Sequence, residues 1–463
     1  MNSTQTAERY GRNLAILKRR FPKVAEAVEN APDTVELVPS KKGPLTGRSG
    51  KTSLHSFHDP VTEAEKFIAS QGIPDGGHVV LIGVGLGHHL APLLCAIGEG
   101  GMIVAAEANA EILKAAMRVI EDPSILEDLR LTLVAGKNEA IFLSTLSSAC
   151  ASLDQNRAKT VIFNPSFQLI PKNFTRTRTA IELVRMERRF PFVMGGIEAE
   201  NLQRNMSRLR SAKSVNSLKG AAKGRGAFIV GAGPSLDRDV ITLSAPHGCV
   251  VISTDTALPA LLSAGVTPHF VVTADPQAQS LHHFTFAGRY DLPLILTPTA
   301  SSQVVEKWVG PMYAGFVNTD RLSGDAKELA DRLGGFKSGG TVSALALETA
   351  IIMEADPVIL VGQDFGWPGG ECYAQGTFSE RADARPIIEP GVIYGTNHFG
   401  QQIATSVPLH SYRRSFEWVI QTTGARVFTL SACGLPARGV TPISSPLEVI
   451  SGAGAAGGFH FEG

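Results

Sequence analysis

Short apolar runs closed by glycine, proline or an acidic residue recur along this chain, and segments with helical spacing separate them. From His78 the run HVVLIG leads into the glycine turn GVGLG. MIVAAE follows, then an amphipathic stretch Asn109–Ile120, then RLTLVAG and TVIFNP. Buried runs alternating with helical patterns predict strand–helix units on a parallel sheet. A second series begins at Ala227, with strands expected at 227–230, 249–253, 269–273, 293–297, 357–361 and 426–430. Ahead of both series, Leu14, Leu17, Phe21, Val24 and Val28 fall three and four apart, which predicts one amphipathic helix over 8–30. Asp59-Pro60 reads as an N-cap with proline in the first turn, opening a helix to about Gln71.

The stretch 172–225 lacks strand patterning and is rich in Arg, Lys, Asn and Ser, so two or three helices are expected to bridge the halves. Its arginines (176, 178, 185, 188, 189, 204, 208, 210) read first as a solvated helical face. The fold class expected is α/β, with two Rossmann-like α/β domains joined by helices. The segments are a helical opening at 1–40, a first domain at 41–171, the bridge at 172–225, a second domain at 226–446 and a mobile glycine-rich tail at 447–463. Residues 366–396 form a Gly/Pro/aromatic stretch long enough to serve as a lid or acceptor loop.

Composition narrows this picture. With 463 residues the chain exceeds one core. Charges balance at 43 basic and 43 acidic, so no overall field favours nucleic acid or an anionic membrane. The five cysteines are scattered, without a CxxC pair, which argues against a disulfide framework or a zinc knuckle. The opening residues hold no apolar core of a secretory signal, and no run reaches a membrane span. A cytoplasmic protein without a membrane span is expected.

Candidate chemistry collects in the second series. Gly231, Gly233, Pro234 and Ser235 form a turn from strand to helix, where a backbone can approach a phosphate or sugar and a helix start presents amides. Asp255, Asp275 and Asp364 each follow a strand, and strand ends in such sheets share one edge. Helix capping explains any one of them; three on one edge suggest a crevice, where they would hold ribose hydroxyls, orient an acceptor or bind Mg²⁺. Ser338, Gly339, Gly340 and Thr341 open an apolar helix and form a second anion-seeking start. His398 and His410 follow the long loop and are the best-placed candidates for a general base, each equally readable as a surface or packing histidine; His282-His283 is less promising. In the first series, Gly83-Val84-Gly85-Leu86-Gly87 with Glu107 at the next strand end is the layout of a dinucleotide or S-adenosylmethionine site. A scaffold without catalysis is the favoured reading there.

The blocks GAGPSLD, STDTALPALLSAGVTPHFVVTADPQ and KSGGTVSALALETAIIMEADPVILVGQDF, with NLAILKRRFP and LHSFHDPVTEAEKFI near the start, resemble the motility accessory factor (Maf) family of flagellin glycosyltransferases. The central blocks also resemble bacterial sialyltransferases that use CMP-sugars, a variant related to the GT-A fold. The resemblance implies a CMP-activated nonulosonic acid of pseudaminic or legionaminic type as donor, and Ser or Thr of flagellin as acceptor. It places Gly231, Gly233, Pro234 and Ser235 on the nucleotide, and Asp255 and Asp275 in the same pocket. Ser338, Gly339, Gly340 and Thr341 would face the phosphate and Asp364 the floor. The sialyltransferase histidine segment aligns loosely with NHFGQQIATSVPLHSYRRSF, so the base is His398, His410, Asp255 or Asp275. No resident metal or cofactor is implied, and Mg²⁺ stays open. Two alternatives share the motifs: a 6-hydroxymethylpterin diphosphokinase of the MptE type using ATP and Mg²⁺, and a non-enzymatic flagellin-binding accessory protein.

Overall fold

The computed structural model of the chain describes residues 3–154, 157–244, 248–317, 319, 322–337, 341–381 and 392–450. The chain divides into two compact units, Met1–Ile181 and Glu182–Gly463.

The first unit opens with two helices, Ser3–Arg20 and Pro22–Asn30, where the sequence predicts one. Pro22 has no amide hydrogen and holds Phe21 out of the helical region, at φ −135° and ψ 65°, so the helix breaks there. Both helices nevertheless bury the predicted stripe, Leu17, Val24 and Val28, in the core of this unit. Three short antiparallel strands follow, β1 (Glu36–Pro39), β2 (Leu45–Ser49) and β3 (Thr52–Ser53), which the apolar pattern does not reveal. Asp59 caps the helix Pro60–Ser70 as expected, accepting from the Thr62 amide at 3.0 Å. The parallel sheet comprises β4 (His78–Ile82), β5 (Met102–Ala106), β6 (Leu131–Val134) and β7 (Ala158–Ile162), in the order β6-β5-β4-β7. β4 is therefore flanked by β5 on one side and β7 on the other, and the chain reverses its direction of growth beside it.

A single helix, Thr175–Leu209, replaces the two or three expected in the bridge. Several of its arginines are held locally. Arg204 pairs with Glu200 at 2.6 Å, Arg210 with Asp325 at 3.3 Å, and Arg178 donates to the Ile170 carbonyl at 2.8 Å.

The second unit carries, among the described residues, a nine-stranded parallel sheet. Its strands are β8 (Lys213–Ser214), β9 (Ala227–Val230), β10 (Val250–Thr254), β11 (Phe270–Thr273), β12 (Leu294–Leu296), β13 (Met312–Ala314), β16 (Val358–Val361), β19 (Val427–Thr429) and β20 (Val440–Pro442). Between them in the chain come β14 (Phe316–Val317) paired with β15 (Gly335–Phe336), and the antiparallel hairpin β17 (Val392–Thr396)–β18 (Gln402–Ser406). The spatial order is β20-β19-β16-β9-β10-β11-β12-β13-β8. All six strands expected in this half are present; β8, β13 and β20 are additional to them. The order reverses between β9 and β16, which makes their carboxyl ends a topological switch point, the usual ligand position in such sheets. The hairpin shows that 366–396 is not one loop, since its end is strand β17. The tail beyond 450 lies outside the described residues.

Candidate functional site

β9 is buried along its whole length and bonded on both sides, to β10 and β16, which explains the unbroken Ala-Phe-Ile-Val run. Beyond it the chain turns against the loop after β16. The Gly231 amide donates to the Val361 carbonyl at 2.8 Å and the Gly233 amide to the Gly362 carbonyl at 2.9 Å. The fit leaves no room for side chains. A Cβ on Gly231 would strike the Gln363 amide group, and one on Gly233 would strike the Asp364 carboxylate and lie 2.8 Å from the Gly362 oxygen. Pro234 and Ser235 lead into the short helix Leu236–Asp239.

Asp364 faces this turn from β16. Its Oδ2 accepts the Ser235 amide at 2.8 Å, and the residue is 2% exposed. Its Oδ1 is buried without a hydrogen-bond partner among the described residues. Burial pushes its carboxyl up to about 6 against the Ser235 bonds that favour the charge. Ser235 is also turned inward, its hydroxyl donating to Ser431 Oγ at 2.9 Å, and Ser431 Oγ also accepts the Gln363 amide at 3.3 Å. These two residues, expected on the ligand, hold the glycine turn in shape.

The folded carboxyl lies above its unfolded value of 3.8, so the stability that Asp364 contributes is present below that pH and is lost as pH rises through about 6. The difference corresponds to about 3 kcal/mol. Urea unfolding of wild type and Asp364→Asn at pH 4.5 and 7.5 is expected to show the variant gaining on wild type at the higher pH. Parallel losses in the two proteins would refute the assignment.

On the other side of β9 stand Asp255 and Asp275. Asp255, 2% exposed, ends β10. Its Oδ1 accepts the Thr256 amide at 2.7 Å and its Oδ2 the Thr273 hydroxyl at 2.7 Å, which ties the ends of β10 and β11 together. Burial raises its carboxyl, His283 and the two threonines oppose the rise, and Asp275 adds to it. Asp275 is only half-buried and turns the chain after β11 by accepting the Gln277 amide at 2.8 Å. Tyr412 extends the group. Burial raises its phenol, and the charges of Asp275 and Tyr373 add to the shift.

The remaining candidates separate from this group. Thr341 caps the helix Val342–Ile352, its hydroxyl accepting the Ala344 amide at 3.0 Å. Ser338, Gly339 and Gly340 lie outside the described residues. His398 is exposed in the turn of the β17–β18 hairpin. His410, on the helix Val407–Thr423, bonds through Nδ1 with Arg413 at 3.1 Å. Burial, then Arg413 and Arg414, pushes its imidazole down. The first half of the expected lid is fastened to the glycine turn: the Ala374 amide donates to the Ala232 carbonyl at 2.9 Å, and the Gln375 amide to Asp237 at 2.8 Å. Residues 382–391, its middle, lie outside the described residues.

Two residues that the sequence reading passes over shape the crevice from the long helix. Asn201 donates to the Pro276 carbonyl at 2.8 Å, and Asn205 to the carbonyls of Pro298 and Ala300 at 3.0 and 2.9 Å. Spaced four apart, they fasten the loops after β11 and β12. A signal existed, since paired amides on one helical face point to something other than solvent.

The glycine turn of the first unit is occupied by the protein itself. Glu107 Oε2 accepts the amides of Val84 and Gly85 at 3.0 and 3.2 Å, and Oε1 that of Asn109 at 3.1 Å. The acid predicted for a ribose is 1% exposed and bound to its own turn. His55 accepts the Leu86 amide at 3.1 Å and stacks on Phe163, with ring centroids 4.8 Å apart, against the same turn. Gly85 sits so close that a Cβ there would lie 2.7 Å from both rings. His88 and His89 border His55, and burial pushes them down to about 4 and about 2. Glu107 and His55 thus occupy amides of this turn, while Leu86, Gly87 and His88 line a cavity of about 730 Å³ beside it.

Fold and site thus define an α/β protein whose second unit holds a parallel sheet with a glycine turn at its topological switch point and acids at neighbouring strand ends. Residues 200–370, which include that turn, match the family model for 6-hydroxymethylpterin diphosphokinase MptE-like proteins. Among solved structures, the chain is similar to the MAf glycosyltransferase from Magnetospirillum magneticum AMB-1, with 18% identity, 96% of this chain and 75% of that chain covered, and a TM-score of 0.44. It is also similar to a protein-L-isoaspartate O-methyltransferase, with 20% identity over 28% of this chain and 43% of that chain, and a TM-score of 0.16. No curated protein matches the chain. Among the described residues, no helix is long and apolar enough to cross a membrane.

Proposed function

We propose that the protein is a glycosyltransferase that moves a nonulosonic acid, of pseudaminic or legionaminic type, from a CMP-sugar to Ser or Thr of flagellin in the cytoplasm, in support of flagellar assembly and motility. The observation that carries this reading is the meeting of the GAGPSL turn with Asp255 and Asp275 at adjacent carboxyl ends, in the sequence blocks that resemble the Maf family. The turn around Gly231 and Gly233 lets the nucleotide approach the backbone. On this reading Asp255 and Asp275 are the candidates to face the acceptor hydroxyl and the anomeric centre. CMP leaves with the electron pair of the bond it breaks, and the centre gains oxocarbenium character.

The family match over 200–370 supports a second reading, pyrophosphoryl transfer from ATP with Mg²⁺. The donor set weighs against it. Asp255 spends its oxygens on Thr256 and Thr273, Asp364 spends one on Ser235, and burial raises both carboxyls, which disfavours the charged form a hard cation needs.

Calorimetric titration with CMP and with ATP, each with and without Mg²⁺, tests the choice. CMP is expected to bind without metal, with a Kd between about 1 μM and 1 mM. ATP binding that needs Mg²⁺, with no heat from CMP, would transfer the conclusion to the diphosphokinase. A CMP-binding mutant that leaves motility and flagellin capture normal would favour the non-enzymatic accessory role.

A further inference from the structure

The hairpin β17–β18 has one edge that pairs with nothing among the described residues. On β18 the outer side is taken, because the Trp367 amide donates to the Ala404 carbonyl at 2.8 Å. The N–H and C=O of a strand residue point the same way. Ala404 therefore turns its backbone away from β17, and its pair with Tyr394 is one without hydrogen bonds. The loop of the hairpin gives the same phase independently. The Asn397 amide donates to the Gln401 carbonyl at 3.0 Å, so Thr396–Gln402 is an unbonded pair and Gly395–Ile403 a bonded one. Val392, Tyr394 and Thr396 thus direct their amides and carbonyls to the open side of β17, while Ile393 and Gly395 direct theirs to β18.

Native sheets blunt an open edge with lysine, proline, a bulge or an inward charge. β17 has none of these: it reads Val-Ile-Tyr-Gly-Thr and runs in unbroken register with β18. No Asp, Glu, Lys or Arg occurs from Val392 to Tyr412. Tyr394 is 63% exposed, and Phe399 in the loop 65%. The other face of the hairpin is anchored beside the glycine turn. A Cβ on Gly395 would lie 2.7 Å from Leu435, whose amide donates to the Asp364 carbonyl at 2.8 Å. Asn397 donates to the Cys433 carbonyl at 3.2 Å, and the Thr405 hydroxyl to the Phe365 carbonyl at 2.7 Å. The open edge is therefore held to the loop after β16 that carries Asp364.

We propose that this edge seats the acceptor polypeptide, as an extended, uncharged, Ser- or Thr-bearing segment that joins β17 as a third strand through Val392, Tyr394 and Thr396. The proposal rests on the glycosyltransferase reading, which supplies a protein acceptor. A strand edge selects an extended chain, because main-chain hydrogen bonds provide the contact. The uncharged surroundings select an uncharged segment, since a Lys or Asp laid beside Tyr394 would lose water without gaining an ion pair. The anchoring to the Asp364 loop selects the acceptor, because it sets the edge beside the glycine turn rather than on a remote face.

The test reads amide exchange and kinetics on the full chain. By NMR, the Tyr394 and Thr396 amides of the free protein are expected to exchange fast and those of Ile393 and Gly395 slowly. Flagellin is expected to slow the first two at least about tenfold. Tyr394→Pro removes an outward amide that the hairpin does not use, so the ladder to β18 survives. With CMP-pseudaminic acid as donor, it is expected to raise the KM for flagellin at least about tenfold, with CMP affinity within about threefold as the sign of an intact fold. Tyr394→Thr keeps the amide and is expected to stay within about threefold of wild type in that KM. An unchanged KM in Tyr394→Pro, equal losses in both variants, or no protection by flagellin overturns the proposal. Slow Tyr394 and Thr396 amides in the free protein also overturn it: loss of that protection on dilution identifies a second copy as the occupant, and its persistence a segment of the chain itself. Flagellin protection of β17 in a wild type that does not bind CMP would keep the docking edge and remove the transferase reading.

Discussion

Gly233→Ala is expected to lower stability by about 3 kcal/mol and to weaken CMP binding at least tenfold. The new methyl group has nowhere to go. It points at the Asp364 carboxylate and at the Gly362 oxygen, which the Gly233 amide already holds at 2.9 Å. Neither neighbour is a flexible tip. Moving Asp364 breaks its bond to the Ser235 amide, and moving Gly362 separates β9 from β16 at the switch point. The Gly233 backbone has no positive φ, so the cost is contact rather than backbone strain. Gly265→Ala provides the contrast. Gly265 has φ +75° and nothing within 4 Å of the added carbon, so only a conformational penalty of about 1–2 kcal/mol is expected, with CMP binding intact. Urea unfolding and calorimetry on both variants measure the two effects. A Gly233→Ala protein as stable as wild type, and binding CMP equally, would remove the turn from the site.

Asp255→Asn is expected to abolish transfer, by about a hundredfold or more, without loss of stability. Burial already holds the carboxyl above its ordinary range. The charge is therefore a liability to the fold at neutral pH, fully so above the folded midpoint, and removing it relieves that cost. The amide can still accept the Thr256 amide hydrogen or the Thr273 hydroxyl with its oxygen. A plain structural cap would behave in the opposite way, losing stability and keeping activity. Thermal unfolding at pH 7 together with transfer from CMP-pseudaminic acid to flagellin distinguishes the two. Full activity in Asp255→Asn would refute its role in the crevice.

The two glycine turns show how far a motif carries. GVGLG with Glu107 and GAGPS with Asp364 look alike as text, each a turn with an acid at a strand end. In both, the acid bonds to amides of its own turn instead of waiting for a ligand. What separates them is their surroundings. His55 and Phe163 pack against the first turn, whereas Asp255 and Asp275 follow the strands β10 and β11 on the far side of the strand that leads into the second. The distinction depends on residues far away in sequence: Ser235 and Asp364 are 129 positions apart.

The sequence by itself determined the strands, the turns that follow them and the α/β class, because burial of a strand on both faces writes a continuous apolar run and a sharp turn writes glycine. It also placed the aspartates at strand ends, which fixes them at one edge of the sheet. Its errors in local structure have local causes: Pro22 broke a helix whose apolar spacing continued through it, and a strand as short as the two residues of β8 leaves no period to read. Only the tertiary structure decided which acid holds the glycine turn and which ties neighbouring strand ends together. That choice depends on which strands are neighbours, β16 on one side of β9 and β10 with β11 on the other. Neighbours are set by the packing of the whole sheet, and a carboxylate's partners, burial and charge follow from its neighbours rather than from its place in a motif.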